Sequence, residues 1–294
     1  MLTNEMGLPQ PFVDAATSDH RYKPHRYSVT EVLGGTCEAV LKRRHQGEGD
    51  SDVADYVWAI FGSAVHKILE QAQETESQLK ENWISVPAGI EDYELSGIFD
   101  LYDDSTGTVT DYKTASIWKV RMGDFTDWQL QTLIYCWMLR QLGFDAHRGE
   151  VVALLKDHNK RDARFKSNEG YPPHPVFKIG WDFSEISFHG AEKLVKDWFK
   201  DVAKQEQRTD EMLMPCDKGK RWHKDDKYAV VERGKKKALR VLGSRREAEM
   251  WAVGKGIDIN DGKHNIEYRK GEDTKCEGYC PVADFCPYAR MLKG

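Results

Sequence analysis

The chain has 294 residues, 40% of them hydrophobic and 31% charged, with a formal net charge of −5. That suits a globular protein with room for one large domain and an appendage, and it excludes a uniformly basic nucleic-acid coat while leaving room for a local basic groove. No apolar run approaches the roughly 20 residues that span a bilayer, and the opening MLTNEMGLPQPF has neither the charged nor the apolar region of a secretory signal.

Residues 1–26 read as an irregular arm. Ser28 and Glu31 then have capping-box spacing for a short helix, which Gly34 and Gly35 interrupt. A second helix runs through Cys37, Val40 and Leu41 into Lys42, Arg43 and Arg44, and the polar stretch 46–52 reads as a loop. A long helix is expected from Val53 to Leu79. Its core face carries Tyr56, Ile60, Ala64, Ile68 and Ala72, and Gly62 is a place for it to break.

Leu95 to Ser116, LSGIFDLYDDSTGTVTDYKTAS, reads as two strands joined by the turn formers Asp103 to Gly107. Such a hairpin brings Asp100 near Asp111 and Lys113. Alternation along a strand puts Asp111 and Lys113 on one side and Tyr112 on the other. Two carboxylates and a lysine facing one another are costly to bury alone, and a divalent cation that takes carboxylate, water and phosphate oxygens is their natural partner. The alternative is a surface hairpin with ordinary charges.

A helix follows from Asp127 to Leu142, closed by Gly143. Its buried side carries Leu130, Leu133, Ile134, Trp137 and Met138, and Gln131 and Tyr135 stand one turn apart. EVVALLK, from Glu150 to Lys156, reads as a buried strand, the next 19 residues as a basic loop, and Phe177 to Trp181 as a returning strand. Ser184 or Ser187 caps a helix running to Gln205. Composition shifts near Thr209, so three parts are expected: the arm 1–26, a core 27–208 and an appendage 209–294. The appendage carries a hairpin around Arg233-Gly234-Lys235, a helix capped by Ser244 with Glu247, and a last strand from Asn265 to Arg269.

Four short motifs stand in order: GSAVH ending at His66, GIFD ending at Asp100, DYK from Asp111 to Lys113, and QTLIY from Gln131 to Tyr135. Together they resemble the PD-(D/E)XK nuclease superfamily and, within it, the RecB-type and CRISPR-associated exonucleases. The resemblance covers residues 28–156. It implies an α/β fold with a restriction-endonuclease-like core, a mixed sheet flanked by helices. It also implies roles: His66, Asp100 and Asp111 on Mg2+ or Mn2+, Lys113 as the catalytic lysine, and Gln131 and Tyr135 supporting the site and facing DNA. Phe99 stands where the family has proline, and Asp111 where it more often has glutamate. Glu70, one turn from His66, is either a further ligand or a solvated helix glutamate.

Six cysteines in a chain with no export signal favour metal or cluster ligation over disulfides. Cys276, Cys280 and Cys286 form C-x3-C-x5-C, a spacing that suits a metal or cluster. The same resemblance implies a [4Fe-4S] cluster, built from a C-terminal cysteine group and one distant cysteine, in a small C-terminal α+β module. The spacing is one residue longer than the family's, so Zn2+ stays open. Cys216 is the preferred fourth ligand and Cys37 the alternative; Cys136 reads as core.

Lys156, Lys160, Arg161, Arg164 and Lys166 form one basic group, and Arg221, Lys224, Lys235, Lys236 and Lys237 another; each is either a DNA track or a solvated face. Trp222, Trp181 and Tyr171 are either base-stacking or packing residues. The expected activity is metal-dependent DNA hydrolysis from ends, in recombination or repair. The expected setting is the cytoplasm of a bacterial or phage-infected host cell, with DNA and a single-strand annealing protein as partners and no membrane. The rival is a catalytically silent platform for DNA ends or a partner.

Overall fold

The computed structural model describes residues 2–17, 22–73, 75–235 and 237–293; Lys236, counted above in a basic group, lies outside them. The chain divides into two units, Met1–Gln207 and Arg208–Gly294.

The first unit is built on a mixed sheet of six strands: β1 (Arg26–Ser28), β2 (Gln78–Pro87), β3 (Glu94–Asp103), β4 (Thr108–Ala115), β5 (Arg148–Leu155) and β6 (Val176–Asp182). The order is β1-β3-β4-β5-β6, and β2 also pairs with β3. β1 runs parallel to β3 and β4 parallel to β5, while β2/β3, β3/β4 and β5/β6 are antiparallel. The sheet is flanked by helices α1 (Thr36–Arg44), α2 (Val57–Glu70), α3 (Thr126–Gln141) and α4 (Glu185–Glu206). This is the mixed α/β arrangement of a restriction-endonuclease-like core.

Local chemistry accounts for the ends of these helices. Ser28 and Glu31 close a capping box on a short helix, Val29–Val32, that precedes α1, as do Ser184 and Ser187 at α4. Gly143, just past α3, has φ +94°, a left-handed conformation that suits glycine. α3 is apolar nearly all round and buried from Gln131 to Leu139, because it packs on β5 and on α4. On the sheet side, Trp128 joins Ala115, Ile117, Val151, Ala153, Leu155 and Tyr171 in one core cluster. Tyr27 anchors another region, its ring against Trp198 and Phe199 and its hydroxyl donating to Glu206 at 2.6 Å.

Three expectations need correction. The long helix ends at Glu70, and none of its side chains is buried; Ile68, placed on a core face above, is 68% exposed. The apolar spacing was real, but the face it makes is left open to solvent. The segment after it is β2, a ten-residue strand that the expected helix had partly absorbed. The arm is not irregular: Leu2–Thr3 pairs with Ser51–Asp52, and Gln10–Ala16 is helical.

In the second unit, β7 (Lys227–Glu232) lies between β8 (Arg240–Leu242) and β9 (His264–Arg269), all antiparallel. Helix α5 (Arg245–Gly254) has the expected Ser244–Glu247 capping box. Asp273 is buried and gathers Arg221 Nη1 at 2.6 Å, His223 Nδ1 at 2.8 Å and the Tyr288 hydroxyl at 2.5 Å. Burial works against that charge, but Tyr288, His223 and Arg221 hold its carboxyl below the usual range. Arg221 is therefore a structural residue of this unit rather than part of a basic surface track. No described helix is long and apolar enough to cross a membrane.

Candidate active site and metal centre

The site forms where β3 parts from its neighbours. On one side β3 pairs with β1 only over Glu94–Ser96 and with β4 only over Leu101–Asp103, so Gly97 to Asp100 have no ladder partner there. The Asp100 carboxylate fills the gap. Its Oδ2 accepts the Tyr112 backbone N–H at 2.5 Å, substituting for a strand hydrogen bond. Tyr135 of α3 holds the neighbouring backbone, its hydroxyl donating to the Ile98 carbonyl at 2.8 Å. Gly97 is required beneath that ring: a Cβ there would stand 2.7 Å from it.

β4 presents different side chains to its two faces. Asp111 and Lys113 face α3. Lys113 Nζ lies 2.8 Å from Asp111 Oδ2 and donates to Gln131 Oε1 at 2.9 Å, while Gln131 Nε2 donates to Asp111 Oδ1 at 2.8 Å. Tyr112 and Thr114 face α2: the Tyr112 ring meets His66 edge-on, and Gly62 lies close to the Thr114 hydroxyl. His66 thus approaches from one face and Lys113 from the other, and the opening at Asp100 is where they converge. His66 Nδ1 stands 3.2 Å from Asp100 Oδ1 and 3.6 Å from Glu81 Oε1. Donor atoms of His66, Glu81 and Asp100 all lie within 4.8 Å of one another.

The electrostatics are those of a cation site. Asp111 is 4% exposed, and burial pushes its carboxyl up to about 6, against the pull of Lys113 and with the push of Asp100. Burial and the Asp100 charge likewise raise Glu81, and the hydrogen bond to Asp100 raises His66 despite burial. Asp111 Oδ2 is buried and receives no hydrogen bond of good geometry, although the Lys113 ammonium is 2.8 Å away. We read that contact as Coulombic, leaving a lone pair for a metal. An imidazole nitrogen with carboxylate oxygens, one of them lacking a hydrogen-bond donor, fits Mg2+ or Mn2+.

All six core residues singled out from sequence meet here. Gln131 and Tyr135 are both buried, with their side chains hydrogen-bonded to Asp111, Lys113 and the Ile98 carbonyl. Glu70 pairs with Lys67 at 2.7 Å and is not among the donors. The acid beside His66 is Glu81, which sequence reasoning missed. Only the four residues WISV, with Ile84 and Val86 buried, alternate as a strand requires, too short a signal to mark β2 or Glu81.

Residues 75–287 match the family model of the PD-(D/E)XK nuclease superfamily. The chain belongs to that superfamily. The matched span includes Asp100, Asp111, Lys113, Gln131 and Tyr135 of this nuclease; His66 and Cys37 precede it. No curated protein matches the chain. Among solved structures, the crystal structure of SSO0001 is 14% identical, covering 66% of this chain and 82% of the other with a TM-score of 0.47. A phage related exonuclease from Haemophilus somnus 129PT is 10% identical, covering 60% of this chain and 92% of the other with a TM-score of 0.31.

The predicted basic track over Lys160 and Arg161 lies on a short exposed helix, Lys160–Phe165. Tyr171 is core, and Trp181 packs against the same cluster. Trp222 is exposed and meets the ring of Tyr279, with Lys275 over its face. Within the second unit, the Cys276 thiol is pushed up to about 12 by burial first and then by the charges of Cys280, Asp273, Cys216 and Cys286. All six cysteines of the chain carry thiols rather than disulfides.

Proposed function

We propose that this nuclease hydrolyses DNA phosphodiester bonds with Mg2+ or Mn2+, working from DNA ends. The observation that carries the reading is the buried Asp111 carboxylate with one oxygen lacking a hydrogen bond, set beside Asp100, His66 and Lys113. His66, Asp100 and Asp111 would hold the cation, which when bound lowers the pKa of a water and neutralises phosphate charge. Asp100 keeps its carboxylate aimed by accepting the Tyr112 N–H. Gln131 Oε1 at 2.9 Å and Asp111 Oδ1 at 3.1 Å accept two N–H of the Lys113 ammonium, whose third N–H is left to orient the attacking water or to meet a phosphate oxygen. The exposed residues Lys160 and Arg161 suit phosphate contact, and the Trp222–Tyr279 pair suits stacking on unpaired bases.

The proposal extends to the second unit. Cys216, Cys280 and Cys286 each lie within electrostatic reach of Cys276, which suits ligands to one [4Fe-4S] cluster or Zn2+. Such a group would contribute folding energy to this small unit directly. Protein purified without oxygen should show visible absorbance and iron for a cluster, or zinc by elemental analysis.

The activity test is digestion of end-labelled linear DNA beside closed circles, with Mg2+ or Mn2+. Wild type should degrade linear DNA and spare circles, and Lys113→Ala should lose about 10²-fold or more in rate, the usual scale for a group acting on transition-state charge. Cutting of circles would make it an endonuclease. Tight DNA binding with no cutting by wild type would make it a silent platform.

A further inference from the structure

Asp100 is without a ladder partner on both sides. Opposite it on β2 stands Glu81, and the otherwise continuous β2/β3 register, Lys80↔Leu101 then Asn82↔Phe99, makes no pair between them. The cause is in the backbone: Glu81 has φ +48°, left-handed in the middle of a strand. A side chain there pays a steric cost that an extended residue would avoid, and such outliers persist where the surroundings hold them for use. Here the distortion sets the Glu81 carboxylate beside His66 and Asp100 rather than leaving it at the ordinary strand position.

The geometry points to Glu81 as a further ligand of the same divalent cation, its carboxylate positioned by a strained backbone kept for that purpose. The inference rests on the metal-dependent reading above. Oxygen and nitrogen donors about 2.1 Å from an octahedral ion stand about 3.0 Å apart when adjacent and about 4.2 Å apart when opposite. His66 Nδ1 is 3.2 Å from Asp100 and 3.6 Å from Glu81, close to the spacing of adjacent ligands on one ion. Asp111 approaches from the α3 side, its Oδ1 held by Gln131 and its Oδ2 without a hydrogen bond. Glu81 would therefore complete the side of the shell that α2 and β2 enclose. It also supplies a charge that neither motif strand carries.

Two sets of variants test this without DNA. Mn2+ binding to the full chain would be measured by the loss of the free-ion electron spin resonance signal, for wild type, Glu81→Gln and Asp100→Asn. Glu81→Gln should bind at least tenfold more weakly; binding within twofold of wild type would overturn the ligand role. If Asp100→Asn also binds as wild type does, the metal-dependent reading itself fails; if only Asp100→Asn loses the ion, Glu81 alone is excluded. The backbone is tested by melting Glu81→Gly and Glu81→Ala without metal. Both lack the carboxylate, but glycine alone accepts φ +48° freely, so Glu81→Gly should melt higher. An equal or lower melting temperature than Glu81→Ala would overturn the strain.

Discussion

At Asp111, a carboxyl group is buried before any cation arrives, and that has a sign that can be measured. Its folded pKa, about 6, lies above the ordinary carboxylate value near 3.9. The contribution to stability is therefore fully present below about pH 4 and is lost as pH rises through about 6. In chelator, the urea midpoint of wild type should fall relative to Asp111→Asn between pH 4.5 and 7.5, by on the order of 2 kcal/mol in unfolding free energy. Parallel curves would mean that Asp111 is already compensated. The residues of this site were legible in the sequence where spacing alone fixes them. Asp111 and Lys113 are two apart on a strand, and Gln131 and Tyr135 four apart on a helix, so each pair must share a face. Glu81 was not legible, because a left-handed residue inside a strand leaves no compositional mark.

At the scale of elements, the site depends on β3 and β4 parting after Leu101↔Thr110, and on Tyr135 holding the parted strand. Gly97→Ala forces a methyl group into a buried, hydrogen-bonded ring. It should cost about 1–3 kcal/mol in thermal unfolding. Tyr135→Phe, which removes one hydrogen bond and keeps the ring, should cost about 1 kcal/mol. A Gly97→Ala melting curve like that of wild type would show that the ring can move aside. Hairpin, capping boxes and the glycine stop of α3 could all be read beforehand because their causes are local. β2 could not: its partner lies on β3, and a polar ten-residue run with only Ile84 and Val86 buried resembles a helix end as much as a strand.

For the whole molecule, the division after Gln207 and the family match from 75 to 287 mean that the nuclease's family pattern takes in most of both units. The second unit, with its small three-stranded sheet and one buried aspartate hub, has a modest core for its length. In the metal-loaded full chain, Cys276→Ser should therefore speed limited proteolysis within 208–294 severalfold while cuts within 1–207 stay unchanged; equal resistance would show that the thiols hold nothing. α2 carries a different consequence. It brings His66 to the site yet buries none of its 14 residues, so little packing opposes its opening. Its amides should exchange with solvent through local fluctuation long before the sheet does, and a cation held by His66, as proposed above, would slow that exchange. The ligand that prepares the chemistry would then also be the clasp that keeps this helix folded.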